Sequence, residues 1–479
     1  MVFEVVSMIE NKQNVNGYGI RLHKVVLQDF KNIHNGEVVI DSNKDGADFA
    51  SQADIIGIYG QNGSGKTSLI EALALLKSIL SGNVVDTKYT DCVAVGKPFS
   101  YLEFTFHIGT PNEGVEKTVV YSFKISKVSA AFVNDNLLAG GSSEPDRIRI
   151  FDEILSVSGM FDGEKLRLQP IVRTDDGIRP FGPLRKQTEM IGRIKDRTAV
   201  EVCRRMAEEK SMSFIFSKGF IDIVEENCTK YSFFEILLSL RDFARRSVFA
   251  ISSKDIGTDD EDNMPLNTRY GRIALNLRNE NLIPSKVVSI LEESIGAVNE
   301  VLKEIVPSLT IKLINNGHSY NRFGEQVEKL ELHAYRDGIT YPLRYESAGI
   351  IKLISLIILI SEVFSETFCV VAIDEFDAGI FEYLLGELLS AISDYGKGQF
   401  IFTSHNLRPL EVLSKDRIVF TTTNPDNRYY RLKYIGSTNN LRDVYLSEIQ
   451  SGHQDEQMYK ASKNYKIIRA FLKAGDING

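Results

Sequence analysis

Cysteine is scarce: Cys92, Cys203, Cys228 and Cys369 are the only four in 479 residues, they lie far apart, and no CxxC pair occurs. That spacing argues against a disulfide framework or a zinc ribbon and fits a reducing, cytoplasmic setting. An excess of positive charge is also missing. Fifty-six Lys and Arg stand against 64 Asp and Glu, a formal net charge of -8, so no whole-chain field draws the molecule to nucleic acid or anionic lipid. Long apolar runs are missing too. The most apolar stretch, Ile350 to Ile360, contains Lys352 and covers eleven residues, about half of what a membrane span needs, and reads as a buried helix. The opening Met1-Val2-Phe3-Glu4-Val5-Val6 has an acid where a signal peptide carries lysines, so no export and no membrane partner is expected.

What is present is core material. With 43% hydrophobic residues, 27 Phe and 19 Tyr, the chain is expected to be a soluble globular protein of roughly three domain-sized units. Ile20 to Leu27 and Gly36 to Ile40 read as paired strands, and Asp54 to Tyr59 as a short apolar strand before a Gly-rich turn and a helix from Thr67 to about Leu80. Tyr101 to Ile108 and Val119 to Ile125 alternate like antiparallel strands around a turn at 109–114. These place an N-terminal lobe with a β-subdomain at 18–140. Charged, mostly helical segments follow, including Thr198 to Lys210 and Tyr231 to Ala250, broken by the acidic loop Asp259 to Asp262. They read as an inserted helical lobe over 145–282. Its basic residues Arg185, Lys186, Arg193, Lys195, Arg197, Arg204, Arg205, Arg245 and Arg246 are either a solvated face or a contact for nucleic acid. From Val287 to Ile305 apolar residues recur at steps of three and four, one side of a helix that Pro307 ends. Strands at 309–313 and 329–333 then open a C-terminal lobe over 285–435, followed by a helical extension over 436–479.

Three motifs carry chemistry. Gly60-Gln61-Asn62-Gly63-Ser64-Gly65-Lys66-Thr67 is a complete GxxxxGK[ST] loop between a strand and a helix. Its glycines let backbone N–H groups wrap a phosphate at a helix N-terminus, so Gly60, Asn62, Gly63, Ser64, Gly65, Lys66, Thr67 and Ser68 are expected to hold the nucleotide. Lys66 would reach the β and γ phosphates, and the Thr67 hydroxyl would ligate Mg²⁺. The second motif is Phe368-Cys369-Val370-Val371-Ala372-Ile373-Asp374-Glu375, a buried strand ending in two carboxylates where open α/β sheets hold ligands. Asp374 would hold Mg²⁺ and Glu375 would polarise the attacking water. The third is Gln399-Phe400-Ile401-Phe402-Thr403-Ser404-His405, a strand ending thirty positions beyond Glu375. His405 would donate to a γ-phosphate oxygen or to the water; alone, such a histidine is more often structural.

This order of motifs resembles an ATPase head of the ABC class. Tyr345-Glu346-Ser347-Ala348-Gly349, before the apolar helix, is similar to that class's signature segment, with Ser347 and Gly349 at its serine and second glycine. The resemblance implies an α/β head with a mixed sheet and β-subdomain carrying an inserted helical lobe. It further implies ATP and Mg²⁺ as cofactors and head-to-tail dimers in which Ser347 and Gly349 meet the other subunit's ATP. Leu27-Gln28-Asp29-Phe30-Lys31-Asn32, Glu-Ser-x-Gly and Phe402-Thr403-Ser404-His405-Asn406 are similar to the RecF, SMC and OLD-like heads, above all the compact AAA-type ATPases of bacterial abortive-infection and anti-phage systems. Departures are Ala348 for the first signature glycine, Ile350 and Ile351 in place of polar residues, only a loose match at Asp377 to Phe381, and no assignable Q-loop glutamine.

Three functions remain open on this basis. One is a slow, partner-regulated cytoplasmic ATPase that oligomerises on ATP and controls a separate effector, such as a toxin or nuclease, in phage defence; no nuclease, TOPRIM-like or protease signature occurs in the chain itself. Another is a genome-maintenance head that binds DNA through the basic lobe. The third is a nucleotide-gated scaffold with negligible hydrolysis.

Overall fold

Two alternations of apolar residues organise the chain: period two along strands that pair, and period 3.6 along the helices that cover them. The computed structural model describes residues 19–41, 49–110, 114–129, 146–192, 197–252, 263–268, 271–321, 324–433, 440–451, 456–459 and 464–475. In chain order the first lobe comprises β1 (Gly19–Phe30), β2 (Ile33–Val39), β3 (Asp54–Tyr59), α1 (Lys66–Leu80), β4 (Ser100–Thr110), β5 (Gly114–Val128), β6 (Arg147–Phe161) and β7 (Glu164–Arg173). Four helices follow, α2 (Leu184–Ile191), α3 (Thr198–Glu209), α4 (Lys218–Asn227) and α5 (Tyr231–Arg246). Then come β8 (Val248–Ile251), β9 (Asn263–Thr268), β10 (Gly271–Asn276), β11 (Asn281–Pro284), α6 (Val288–Ile305), β12 (Thr310–Tyr320), β13 (Gln326–Arg336) and β14 (Ile339–Pro342). The last part comprises α7 (Ala348–Ser365), β15 (Val370–Ile373), α8 (Glu382–Tyr395), β16 (Gln399–Thr403), α9 (Pro409–Val412), β17 (Ile418–Thr421), β18 (Tyr429–Tyr430), α10 (Leu441–Ser451) and α11 (Asn464–Gly475).

The central sheet runs β18-β17-β3-β16-β15-β8, parallel throughout except for β18. Parallel strands are covered on both faces, and here the alternation divides two cores. Ile56, Ile58, Ala372, Val370, Ile401 and Val419 face α1, α5 and the antiparallel sheet that begins with β1 and β2. Ile55, Tyr59, Val371, Ile373, Phe400, Phe402, Ile418 and Phe420 face α7, α8 and α10. The second sheet, β2-β1-β4-β5-β6-β7, is antiparallel and closes over α1, which is buried on nearly every side. A third sheet of β11, β13, β12 and β14 packs with α6 on α7.

The region expected as a helical lobe over 145–282 is helical in its middle, from Leu184 to Arg246, and stranded at both ends. In β6, Ile148 and Ile150 are buried between the more exposed Arg147 and Arg149, a period of two that the high charge of the segment conceals. β8 returns to the central sheet as its edge strand beside β15, so this part of the chain completes both sheets rather than standing apart. The acidic loop Asp259 to Asp262 lies outside the described residues, as do Arg193 and Lys195 and part of the turn at 109–114. All four cysteines are free thiols.

α7 is 18 residues long where an eleven-residue stretch had marked it, and by length and composition alone it is apolar enough to cross a membrane. Its packing accounts for that hydropathy. Leu356, Leu359, Ile360 and Val363 belong to the core against the central sheet. Ile351, Leu353, Ile354, Ile357 and Ile358 belong to the core against the third.

Gln399 joins the second sheet to the central one: its side chain accepts from Leu22 N–H at 2.7 Å and donates to Leu22 C=O at 2.8 Å and to Asp54 at 3.0 Å. Gln399→Leu would leave Leu22 unpaired in the interior, and urea unfolding should show a loss of about 2–4 kcal/mol. Beside it, burial pushes the Asp54 carboxyl from 3.8 up to about 6, against the opposing charge of Arg21 at 3.4 Å. The folded chain keeps a proton there that the unfolded chain loses first. This contribution is therefore full below about pH 4 and gone above about pH 6, a swing of up to about 3 kcal/mol. Asp54→Asn should flatten that part of the stability profile between about pH 4 and 6 in the same unfolding measurement.

Candidate functional site

β3, β16 and β15 are neighbours in the central sheet and point the same way, so the segments leaving their C-terminal ends emerge side by side. Those segments are the loop 60–67, the carboxylates Asp374 and Glu375, and Ser404-His405. The structure thus brings together residues that the sequence separates by more than 300 positions.

The loop needs its glycines at particular places. Gly60, Gly63 and Gly65 have φ of 153°, 76° and 94°, conformations that L side chains rarely adopt. A Cβ on Gly60 would stand 1.8 Å from the Thr421 hydroxyl. The loop is then fastened from outside its own sequence. Ser64 hydrogen-bonds the Thr421 hydroxyl, Asn32 donates to Gly63 C=O, and the buried Tyr429 donates to Gly65 C=O at 2.9 Å. Arg428 holds this clamp by donating to Asn32 C=O at 2.5 Å and Thr422 C=O at 2.7 Å. Asn32 stood in the similar opening segment; Thr421, Arg428 and Tyr429 carry no motif, because only pairing of β17 and β18 to the sheet brings them here.

Lys66 is buried and its ammonium donates to the carbonyls of Gly60 at 2.8 Å and Gln61 at 3.2 Å. Burial lowers its pKa, and the charges of Asp374, Glu375 and Asp377 pull it back up. A buried cation that pays desolvation is stabilised by negative charge, which these carboxylates supply and a phosphate at the loop would add to. Asp374 is buried, with Oδ1 accepting from the Thr403 hydroxyl at 2.5 Å, and the same hydroxyl accepts the Glu375 N–H at 2.7 Å.

Glu375 sits at φ 49°, left-handed for a non-glycine residue. Both sides of its backbone are held: the N–H by Thr403, and the C=O by the Lys352 ammonium at 2.7 Å. Lys352 is thus a positioning residue hidden in the apolar run of α7. Asp377 accepts the backbone N–H groups of His405 at 3.2 Å and Asn406 at 3.0 Å, which ties the histidine loop to the carboxylate segment. His405 itself is exposed.

Ser347 and Gly349 are placed at the start of α7. The Ser347 hydroxyl caps the helix by accepting the Ile350 N–H at 3.3 Å. A Cβ at Gly349 would come within 3.1 Å of the Gly379 backbone, so the signature segment packs on the turn after Asp377. Asn62 and Gly63 are exposed, Ser68 is buried in α1, and Thr67 is half-buried. The donor set of the Thr67 hydroxyl and the Asp374 carboxylate is hard oxygen, which fits Mg²⁺ and suits softer ions less.

Six of the nine basic residues considered for a nucleic-acid face make contacts within the protein. Arg204 is buried and donates to the carbonyls of Pro180 and Thr174, Arg245 donates to Ser81 C=O at 2.8 Å, and Arg205 and Arg246 pair with Glu201 and Asp242. Arg185 and Lys186 both meet Glu189. Sequence shows the charge of an arginine but not whether an acid one turn away or a carbonyl far along the chain consumes it.

Residues 55–155 match the sequence model of a family described as "AAA domain, putative AbiEii toxin, Type IV TA system". Among solved structures the chain is similar to an Smc head bound to the C-terminal winged-helix domain of ScpA, at 13% identity and TM-score 0.41, covering 86% of this chain and 97% of that one. It is also similar to an Smc head with an extended coiled coil, bound to the C-terminal domain of ScpA derived from Pyrococcus furiosus, at 15% and 0.41, covering 90% and 100%. A third is the recombination mediator RecF with ATP, at 16% and 0.37, covering 87% and 100%. No curated protein matches the chain. The motifs sit at the strand ends of a mixed α/β fold with helical additions.

Thr403 serves two backbone and side-chain partners at once, so Thr403→Val should unpair Asp374 and Glu375 together. The expected outcome is a loss of about 1–3 kcal/mol in urea unfolding, with phosphate release lowered at least tenfold and both largely restored by Thr403→Ser.

Proposed function

We propose that the chain is an ATPase that binds ATP with Mg²⁺ at the convergent strand ends, pairs head to tail when loaded, and thereby controls a separate effector protein in anti-phage defence. The observation that carries the reading is the buried Lys66 facing Asp374, Glu375 and Asp377 at the mouth of a complete phosphate loop. In this reading the loop N–H groups and Lys66 bind the phosphates, and Thr67 and Asp374 hold the metal. Mg²⁺ bound there supplies charge neutralisation on the phosphate oxygens. Glu375 accepts the proton of the attacking water, a role its fixed backbone suits, and His405 orients the water or a γ-phosphate oxygen. Ser347 and Gly349, at a helix start on the outer side of the same segment, meet the nucleotide of a second copy.

The match of residues 55–155 to a toxin–antitoxin ATPase family supports the defence setting. The net charge of -8 and the internal pairing of Arg204, Arg205, Arg245 and Arg246 support a protein effector over DNA as the partner.

Lys66→Ala should abolish ATP binding measured by calorimetry. Glu375→Gln should keep ATP bound, lower phosphate release by about 10² or more, and run as a pair in light scattering when ATP is present. Ser347→Arg should bind ATP and stay single. Full hydrolysis by both Lys66→Ala and Glu375→Gln would overturn the site. Toxicity or protection by the chain expressed without its neighbouring genes would overturn the effector reading.

A further inference from the structure

At the end of β3 opposite the phosphate loop, side chains from β1, β4 and the segment leaving β2 converge. β1 and β4 pair with Arg21 opposite His107 and Leu22 opposite Phe106, and the register shifts between Leu22 and Lys24. His23 is the extra residue of this bulge, a device that re-aims a side chain. Its ring stacks on that of His107 with centroids 4.1 Å apart and planes 23° from parallel. Just beyond β2, the Ile40 N–H donates to His23 C=O at 2.8 Å, which sets the buried Asp41 beside the two rings. Asp41 Oδ2 lies 3.4 Å from His107 Nδ1 and 3.9 Å from His23 Nδ1, and the three ligand atoms all fall within 4.8 Å of one another.

We propose that His23, Asp41 and His107 form a binding site for a divalent transition ion of the zinc class. Both Nδ1 atoms are buried and, among the described residues, neither has a hydrogen-bond partner. Buried ring nitrogens are seldom left so. An ion pair of one protonated histidine with Asp41 answers one nitrogen and leaves the other, whereas a metal answers both. Zinc bonds of 2.0–2.1 Å in a tetrahedron set neighbouring ligand atoms about 3.3 Å apart. The Asp41–His107 separation already has that length, and the remaining gaps close by side-chain rotation. Two imidazoles and a carboxylate select zinc-class ions over Mg²⁺, so this site and the one at Asp374 take different metals. With three protein ligands, a fourth position is left for water or another donor. The ion would tie β1, β4 and the chain leaving β2 to one point.

The test is calorimetry and equilibrium dialysis of the full, chelator-stripped, nucleotide-free chain with Zn²⁺ alone, and visible spectroscopy with Co²⁺. The wild type should take up Zn²⁺ at this site and show the strong d–d bands of a low-coordinate Co²⁺. His107→Gln should bind at least tenfold more weakly and lose those bands while still binding ATP, which reports an intact fold. His107→Cys should restore uptake and add a thiolate charge-transfer band. Uptake unchanged in the His23→Gln, His107→Gln double variant, or absent from the wild type at micromolar free Zn²⁺, overturns the proposal; so does uptake lost on Asp374→Asn alone.

Discussion

A buried ammonium that comes under the charge of acids from the far half of the chain, across the strand ends of a parallel sheet, is the constraint on which the remainder of this molecule turns. Lys66 gains its carboxylate neighbours solely because β3, β16 and β15 lie side by side and in the same direction. Parallel strands must be covered on both faces, and the two cores on either side of the central sheet meet that need with α1 on one face and α7 and α8 on the other. Reversing one strand would move its motif to the far end of the sheet, some strand lengths from Lys66.

The same requirement explains the composition of α7. A helix packed between two cores is apolar nearly all round, and its one lysine, Lys352, is placed where it can hold the strained backbone of Glu375. The turn after Asp377 then touches both ends of the catalytic edge: Asp377 carries the backbone of His405 and Asn406, and Gly379 lies against Gly349 at the signature helix. Movement at the signature segment is thus mechanically joined to the carboxylates and to the histidine loop.

Segments that look peripheral in the sequence prove to be integral. β6 and β7 extend the antiparallel sheet, β8 edges the central one, and Arg245 of α5 binds the carbonyl end of α1 at Ser81. The helices between them therefore transmit to the helix that begins at Lys66. Thr421, Arg428 and Tyr429 do the same for the loop from the opposite side.

Sequence by itself determined the chemistry of the individual stations. GxxxxGK[ST] requires glycines at positive φ whatever the fold, the apolar runs before Asp374 and after Gln399 require burial, and the period of α6 fixes its inward face, all of which the structure repeats. Those are local constraints, carried by neighbouring residues. Tertiary structure alone decided which stations meet. The clamp of Asn32, Thr421 and Tyr429 on the loop, the reach of Lys352 to Glu375 and the hold of Arg204 on Pro180 and Thr174 depend on contacts between residues far apart in the chain, and such contacts leave no periodicity to read. The physical reason is that burial and backbone pairing satisfy groups wherever partners arrive in space, while sequence records only their order.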